Sequence, residues 1–381
     1  MLFQFSFFCF LLALLPRIGN ANPASTQSPL SSPLNPRNVS AELFADLEEL
    51  ARLVDISYCV GTTGIQKPFV CANRCAGFKG FELVKTWNTG PLLSDSCGYV
   101  AVSHPPFAPR IIVAFRGTYS IANAIVDLST IPQEYVPYPP DNSRAGSNPD
   151  QPPDERCPNC TVHAGFLASW ENTRPHLEPE IQRLVKHLPH HRLTLIGHSL
   201  GGAVAGLASL EFYRRGWNPR VTTFGEPRVG NQALTKYFDA RFYDSMHEES
   251  NYRRVTHIND PIPLLPLKEW GYRMHAGEIY ISKPNLQPSV RDLEHCEGDE
   301  DPNCIAAGDI STASNAAAQW WGEDGGLWTV PKRFRMWELF FAHRDYFWRL
   351  GLCMPGGDPK NWFGNYPPQS EDDVRDQKII S

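Results

Sequence analysis

The sequence predicts an α/β fold in which helices cover both faces of a mostly parallel central sheet. Two observations support this prediction. Short β-rich apolar runs alternate with stretches whose apolar residues recur every three or four positions, the order of strands and helices in parallel sheets. A glycine-rich turn also joins one such strand directly to a helix of small residues. With 42% apolar residues among 381, the chain can bury a large core in one α/β domain.

The overall charge of the chain argues against one class of binding partner. The formal net charge is -6 at pH 7, and the isoelectric point is about 6.1. A nucleic-acid-binding protein usually needs a basic face, so this balance argues against a nucleic-acid partner. It is compatible with a neutral, apolar substrate.

The first residues predict export. Leu2–Leu15 is almost unbroken apolar sequence, and Gly19-Asn20-Ala21 then provides small residues at the spacing that a signal peptidase accepts. We therefore expect a signal peptide over residues 1–21, with an uncleaved anchor as the alternative, and a secreted, extracellular protein. Asn22–Arg37 is rich in Pro and Ser and is typical of a flexible lead-in or a short propeptide. No later stretch is long and apolar enough to span a membrane, so the mature chain should lack a transmembrane segment.

The cysteines favour the same compartment. Nine remain beyond the signal, and the close pairs Cys71/Cys75 and Cys296/Cys304 indicate disulfides in a secreted chain. Cys157-Pro-Asn-Cys160 has the spacing of a redox or zinc half-site, but no second pair with zinc spacing follows, which favours a local disulfide. The odd count leaves one thiol over. Two sequons, at Asn38 and Asn159, predict surface glycosylation sites.

The remaining elements follow along the chain. A helix should begin after Ser40, a good N-cap, because the leucines and valine that follow recur on one face. Strands are predicted over Arg110–Phe115, Leu193–Ile196, Val221–Phe224, Val255–Ile258 and Ile279–Ile281, with helices over Glu178–Leu188 and Ala203–Phe212. We expect one domain over residues 38–355, with loop insertions near 138–160 and 311–330 and a loosely ordered tail over 356–381.

The nucleophile is predicted from Gly197-His198-Ser199-Leu200-Gly201. This pentapeptide is weak by itself, but here it lies between a predicted strand and a predicted helix, as the strained turn of a serine hydrolase requires. The flanking glycines keep side chains away from the crowded turn. The alternative is an ordinary glycine-rich turn. The context favours Ser199 as a nucleophile in an α/β-hydrolase fold.

A serine nucleophile needs a base and an acid that orients the base, here expected in the order Ser, acid, His. Asp260 follows a predicted strand, and Pro261 ends that strand. Asp239 and Asp244 fit worse because they lie in a helix-like or loop region. For the base, the candidates after Asp260 are His275, His295 and His343. The local pattern slightly favours His343, which follows apolar residues that include Phe340 and Phe341, without excluding His275.

Taken together, these motifs resemble those of the fungal class 3 (filamentous-fungal type) triacylglycerol lipases, a family that also includes feruloyl esterases. The resemblance covers roughly residues 43–353. It rests on Lys85-Thr-Trp87, Phe115-Arg-Gly-Thr118, His163-Ala-Gly-Phe166, Gly197-His-Ser-Leu-Gly-Gly202, Gly225-Glu-Pro-Arg-Val-Gly230, Asp260-Pro-Ile-Pro263, His275-Ala-Gly-Glu278 and His343-Arg-Asp-Tyr-Phe347.

The resemblance implies roles that local pattern leaves open. It implies His343 as the catalytic histidine and His275 as a structural residue. It also implies an oxyanion hole from the Thr118 and Leu200 amides, assisted by the Thr118 hydroxyl, and disulfides Cys59–Cys353, Cys71–Cys75 and Cys296–Cys304. Arg344 stands where relatives often have an apolar residue, so the acyl groove is expected to differ. The substrate-pocket candidates are Tyr58, His198, Ile262, Phe340 and Phe341.

The resemblance also implies a short helical lid after the Gly-Thr turn. Ser120 is a suitable N-cap, and apolar residues fall on one face, which suits a helix that rolls aside at an oil surface; a short buried helix is the alternative. The predicted lid residues are Ser120, Ile121, Ala124, Ile125, Asp127 and Leu128. Relatives often carry Trp at the position of Ala124, which is a departure from the family pattern.

The function implied is a secreted triacylglycerol lipase that works through an acyl-enzyme on Ser199. The alternatives are a feruloyl or other soluble-ester esterase, and a catalytically silent binding protein with a hydrolase fold. Neither cofactor nor metal is expected, because no cluster of ligands at metal spacing occurs. The expected partner is a lipid or ester substrate at an oil–water interface, with the protein a monomer.

Overall fold

The computed structural model of the protein describes residues 37–90, 95–118, 132–135, 157–243, 250–308 and 342–353. The chain divides into Met1–Asn35 and Pro36–Ser381, and all described residues belong to the second part. Within those residues, helices long and apolar enough to cross a membrane are absent.

The described residues contain four α-helices. They are α1 (Ala41–Ile56), α2 (Ala164–His187), α3 (Leu200–Arg214) and α4 (Gln232–Phe242). Helix α1 begins where the sequence predicts, because the Ser40 Oγ accepts a hydrogen bond from the Leu43 amide at 3.1 Å. Helix α2 begins well before the predicted Glu178. Pro175 and Pro179 lie inside it and obscure its start in the sequence, while packing of its buried Phe166 and Trp170 continues the helix toward its N-terminus.

The strands number fourteen in the described residues. They are β1 (Ile65–Gln66), β2 (Val70–Cys71), β3 (Phe81–Asn88), β4 (Cys97–Ser103), β5 (Arg110–Phe115), β6 (Pro132–Glu134), β7 (Thr161–His163), β8 (Arg192–His198), β9 (Arg220–Phe224), β10 (Gly230–Asn231), β11 (Tyr252–His257), β12 (Tyr272–Arg273), β13 (Glu278–Ile281) and β14 (Leu293–His295).

Eight of these strands form the central sheet in the order β14-β13-β11-β9-β8-β5-β4-β3. The middle strands β5, β8, β9, β11 and β13 pair in parallel, and the edge strands β3, β4 and β14 pair antiparallel. Because the middle strands run the same way, their carboxyl ends share one edge of the sheet, where ligands usually bind. The sequence pattern did not predict β3 or β4.

The sheet separates two large cores. Alternate side chains of a strand point to opposite faces, so Leu195 packs with helices α2 and α3 on one side, while its neighbour Ile196 packs with α1 on the other. Helices therefore cover both faces of a mostly parallel sheet, which confirms the predicted fold class. Residues 342–353 pack with α1 through Tyr346, Leu350 and Cys353.

Four disulfides are present in the described residues: Cys59–Cys353, Cys71–Cys75, Cys157–Cys160 and Cys296–Cys304. They include the three pairs that the resemblance implies and the local pair that the sequence favoured. The remaining described cysteine, Cys97, is free and buried. The bond of longest sequence separation, Cys59–Cys353, fastens the C-terminal segment to the turn that follows α1.

Candidate active site

The turn between β8 and α3 carries Ser199. Its backbone has φ 58° and ψ -131°, a positive-φ conformation outside the left-handed helical region that residues other than glycine rarely adopt. In the described part of the chain, the other three non-glycine residues with positive φ are asparagines. The Ser199 amide donates to the Phe224 carbonyl at 2.9 Å, which fixes the turn at the carboxyl end of β9. This is the strained strand–turn–helix geometry that the Gly-x-Ser-x-Gly motif predicts.

Small residues allow α3 to begin beside the strand ends. A Cβ at Gly201 would lie 2.5 Å from the Phe115 carbonyl oxygen, so a larger residue would push the helix away from β5. Leu200 is the first residue of α3, and its amide belongs to the first helical turn, whose N–H groups have no acceptor within the helix. Half-buried Thr118 lies just past the end of β5. Strand β5 pairs in parallel with β8, so the ends of the two strands lie at the same edge of the sheet.

Asp260 lies past the end of β11, as Pro261 predicts, and is 1% exposed. Its carboxylate accepts hydrogen bonds from the Ile262 amide at 2.9 Å and from the Tyr346 hydroxyl at 2.6 Å. The Nδ1 of His343 lies 3.0 and 2.9 Å from its two oxygens. Ile262, a predicted pocket residue, is buried and helps to hold Asp260 through this amide.

The pKa of Asp260 results from opposing effects. Burial alone would raise this pKa, but the charge and hydrogen bond of His343, together with the bonds from Tyr346 and Ile262, bring it below its usual 3.8. Asp260 is therefore a carboxylate across the neutral range and can orient the His343 imidazole and stabilise its protonated form.

The structure distinguishes among the candidate histidines by their partners. His343 is 1% exposed and pairs with Asp260 through Nδ1, while its Nε2 is buried without a hydrogen-bond partner among the described residues. The Nε2 of His275 instead lies 3.3 Å from the Glu226 carboxylate, in a buried cluster with Tyr252. His295 lies in β14 at the far edge of the sheet.

Two further candidates, Tyr58 and His198, form a layer behind His343. The Tyr58 hydroxyl lies 2.5 Å from His198 Nδ1, and His198 Nε2 lies 2.7 Å from the His343 carbonyl oxygen. The two imidazole rings of His198 and His343 lie 4.5 Å apart. Burial, followed by the charge of His343, holds the pKa of His198 well below 6.5. The ring is thus neutral, with Nε2–H donating to the carbonyl and Nδ1 accepting from Tyr58.

This layer was not recognised from the sequence. Tyr58 and His198 were predicted as pocket residues, yet they are 1% and 2% exposed. His198 contacts the His343 carbonyl, and Tyr58 contacts the His198 ring. His198 belongs to the pentapeptide, but Tyr58 is 140 positions away. Tyr346, which donates to Asp260, could have been noticed because the His-x-x-Tyr-Phe segment contains it.

Several predicted residues lie outside the described residues. They are the lid residues Ser120, Ile121, Ala124, Ile125, Asp127 and Leu128, the pocket candidates Phe340 and Phe341, and the alternative acid Asp244. The sequon residues Asn38 and Asn159 are both exposed. Asp239, the other alternative acid, lies in α4 and accepts from the Ala276 amide at 2.9 Å.

The described residues contain one close group of three potential metal ligands, Glu278, Cys296 and Cys304. The two sulfurs are joined in a disulfide, so they are not available as thiolates. The Glu278 carboxylate accepts hydrogen bonds from Thr256 and from the Ile305 amide, at 2.5 and 3.2 Å. This group therefore acts as a structural cluster.

The chain is similar to known lipases along most of its length. Residues 112–270 match the family described as Lipase (class 3). A Gibberella zeae protein named secreted mono- and diacylglycerol lipase 2 is 52% identical over 372 residues, with 90% of each chain covered. Lipase A of Sodiomyces alcalophilus is 52% identical over 374 residues, with 89% of each chain covered. The crystal structure of the Lip2 lipase from Yarrowia lipolytica matches with a TM-score of 0.67 and 28% identity, covering 84% of this chain and 98% of that chain.

The fold and the strained turn at Ser199 are those of an α/β-hydrolase. The chain belongs to the class 3 lipase family, and it is therefore a lipase, an enzyme that hydrolyses carboxylic esters. This confirms the family that the sequence motifs indicated.

Proposed function

We propose that the protein is an acylglycerol lipase that forms an acyl-enzyme on Ser199, with His343 as the general base and Asp260 as the acid that orients it. The observation that carries this proposal is the Asp260–His343 hydrogen bond at 2.9 Å, which directs the partner-free Nε2 of a buried histidine away from the acid. The strained Ser199 turn and the contact between the His198 and His343 rings support placing the nucleophile beside that nitrogen.

The reaction then has two halves. The Ser199 Oγ attacks the ester carbonyl carbon and passes its proton to His343 Nε2, while the Thr118 and Leu200 amides stabilise the oxyanion. When the tetrahedral intermediate collapses, the C–O bond breaks and the leaving glycerol oxygen takes that proton. Water, deprotonated by His343, then attacks the acyl-enzyme. The fatty acid leaves, and the proton returns to the Ser199 oxygen.

Partial acylglycerols are the proposed preferred substrates. The Gibberella zeae relative, identical at half of the aligned positions, is named as a mono- and diacylglycerol lipase. Triacylglycerol, the substrate that the sequence resemblance implies, is the second candidate, and the apolar face of the predicted lid favours it. We also propose that the protein is secreted after removal of residues 1–21. Two observations support this: the Gibberella zeae relative is named as secreted, and the described residues contain four disulfides, which persist in oxidising compartments.

The experiment is turnover on long-chain mono-, di- and triacylglycerol emulsions beside soluble p-nitrophenyl butyrate and methyl ferulate. Ser199→Ala and His343→Gln are the matched variants, and we expect both to lose at least about 10³-fold in kcat. Fluorophosphonate labelling should modify wild type and not Ser199→Ala. Near-wild-type turnover by Ser199→Ala would overturn the assignment of the nucleophile. Activity confined to the soluble esters would contradict acylglycerol specificity, and absence of any labelling would favour the silent binding protein.

A further inference from the structure

The residue that follows His343 is a buried charge. Arg344 is 3% exposed, and its guanidinium contacts the main chain of its own segment. Nε donates to the Leu350 carbonyl at 2.5 Å, and Nη2 donates to the Gly351 carbonyl at 3.2 Å. The sequence predicted an effect of Arg344 on the acyl groove, whereas these bonds fold residues 344–351 back on themselves.

Asp55 contacts the same peptide units from the other side. It lies in the last turn of α1 and is fully buried. Its Oδ1 accepts from the Gly351 amide at 2.5 Å and from the Leu352 amide at 3.2 Å. Its Oδ2 accepts from Arg74 Nε at 3.4 Å.

The two charges therefore bracket one short stretch of backbone. The carbonyls of Leu350 and Gly351 are bonded to the cation, and the next amides along the chain are bonded to the anion. Gly351 has φ 90°, the left-handed region that lets the stretch turn between them. A buried charge is costly unless polar groups satisfy it, so each charge depends on this arrangement of the peptide units.

We propose that Asp55 and Arg344 are positioning residues that hold His343 in register with Ser199. This inference rests on the proposed function, in which His343 is the base. The segment that carries His343 is fixed at its far end by the Cys59–Cys353 disulfide. The bracket fixes Arg344, and with it the adjacent His343. A displacement of a reacting group by about 1 Å can cost about 10²-fold in rate, so a loosened bracket lowers kcat before it unfolds the protein.

The test compares Asp55→Asn, Arg344→Met and the double variant with wild type. Asp46→Asn is the matched control, because Asp46 lies in the same helix and pairs with Arg110 and Arg253 at 3.3 and 2.9 Å, away from the bracket. Active sites are counted by fluorophosphonate titration, and kcat and KM are measured on p-nitrophenyl butyrate across pH. Circular dichroism and Tm report folding.

We expect each single variant to lose about 10- to 100-fold in kcat per titrated site, with KM changed less than about twofold because the ester pocket is untouched. The double variant should be no worse than the worse single, since both charges hold the same peptide units. Arg344→Lys, which keeps the charge but not the planar fork, should recover part of the kcat. Asp46→Asn should match wild type.

Three outcomes would overturn the proposal. The first is an unchanged kcat per titrated site in Asp55→Asn and Arg344→Met, whether or not Tm falls, because the bracket would then be purely structural. The second is a fold loss of kcat in the double variant that equals the product of the two single-variant fold losses. The third is a shift of the acidic limb of kcat/KM in opposite directions in the two variants, which would mean that the charges act on the base through their fields. Failure of the proposed function is separate, because it shows as activity in Ser199→Ala or His343→Gln.

Discussion

Gly225 is the residue at which an added side chain would meet both Asp260 and His343. It follows β9 with φ 59°. A Cβ there would lie 2.6 Å from the Tyr346 hydroxyl, 2.9 Å from Asp260 Oδ2 and 2.9 Å from His343 Cε1. Gly225→Ala should therefore displace Asp260 or His343, the proposed acid and base, and kcat should fall by at least about 100-fold.

Gly216→Ala is the matched control for this prediction. Gly216 also has positive φ, at 77°, but nothing lies within 4 Å of a Cβ added there. Both variants carry the same backbone strain, about 1–2 kcal/mol, and only the one at position 225 adds a collision. Measurement of kcat and of urea unfolding in both variants separates the two effects. Equal kcat in the two variants would show that the space beside Asp260 and His343 is not needed.

At the residue scale, local sequence pattern predicts Ser199 as the nucleophile and Asp260 as the acid, but it leaves the choice of base open. Ser199 stands between a strand and a helix, and Asp260 is followed by a proline, so local pattern suffices for both. The local pattern slightly favoured His343 without excluding His275, and the family resemblance then implied His343. The contacts that distinguish the two histidines are spatial, since Asp260 contacts His343 while Glu226 contacts His275.

At the scale of elements, the segment 342–353 depends on its attachment to α1. The Cys59–Cys353 disulfide closes a separation of 294 residues, whereas Cys71–Cys75 closes a separation of 4. In the chain-entropy treatment, the longer loop contributes about 6 kcal/mol and the shorter about 2 kcal/mol. Cys59→Ala/Cys353→Ala should therefore lower the unfolding free energy more than Cys71→Ala/Cys75→Ala.

The two double variants should also differ in activity. Loss of Cys59–Cys353 frees the end of the segment that bears His343, so kcat should fall, while loss of Cys71–Cys75 should leave kcat within about twofold of wild type. Urea unfolding and p-nitrophenyl butyrate turnover measure the two quantities. Equal stability loss with equal kcat would mean that the long-range bond does not hold this segment.

The elements that the sequence predicted best are the buried middle strands. The predicted bounds of β5 agree with the structure, and those of β8, β9 and β11 differ by a few residues, because fully buried parallel strands are short apolar runs. Strands β3 and β4 were missed because Lys85, Thr86 and Gly98 interrupt their apolar pattern. The predicted start of helix α2 was too late. Prolines indicate a helix break in a sequence pattern, but tertiary packing tolerates them in this helix.

At the scale of the whole molecule, the sheet brings together residues that no local pattern joins. Tyr58 follows α1 and bonds to His198, which ends β8 and in turn bonds to the backbone of His343 in the C-terminal segment. Contacts across such separations depend on the order of strands, which the sequence does not state. The sequence therefore predicts a set of site residues, but it does not predict how Tyr58 and His198 pack against His343.

The neutral His198 at this meeting point should make the stability of the molecule depend on pH. Its pKa in the folded protein lies well below the usual 6.5, whereas in the unfolded chain it takes up a proton near 6.5. The stabilisation is therefore fully present above about pH 6.5 and is lost as pH falls toward the depressed value. In that window, each unit by which the pH falls lowers the unfolding free energy by up to about 1.4 kcal/mol through His198.

His198→Gln removes this titration and keeps a neutral polar side chain. At pH 8 the variant should be less stable than wild type by about 1–3 kcal/mol, because buried hydrogen bonds to Tyr58 and the His343 carbonyl are weakened. On acidification below pH 6.5 wild type loses stability faster, so the difference should shrink and can change sign. Urea unfolding from pH 8 to pH 4.5 measures it, with Val70→Ala, 54% exposed, as the control that should keep the wild-type slope. A constant difference between His198→Gln and wild type across that range would mean that His198 takes up a proton as readily in the folded protein as in the unfolded chain.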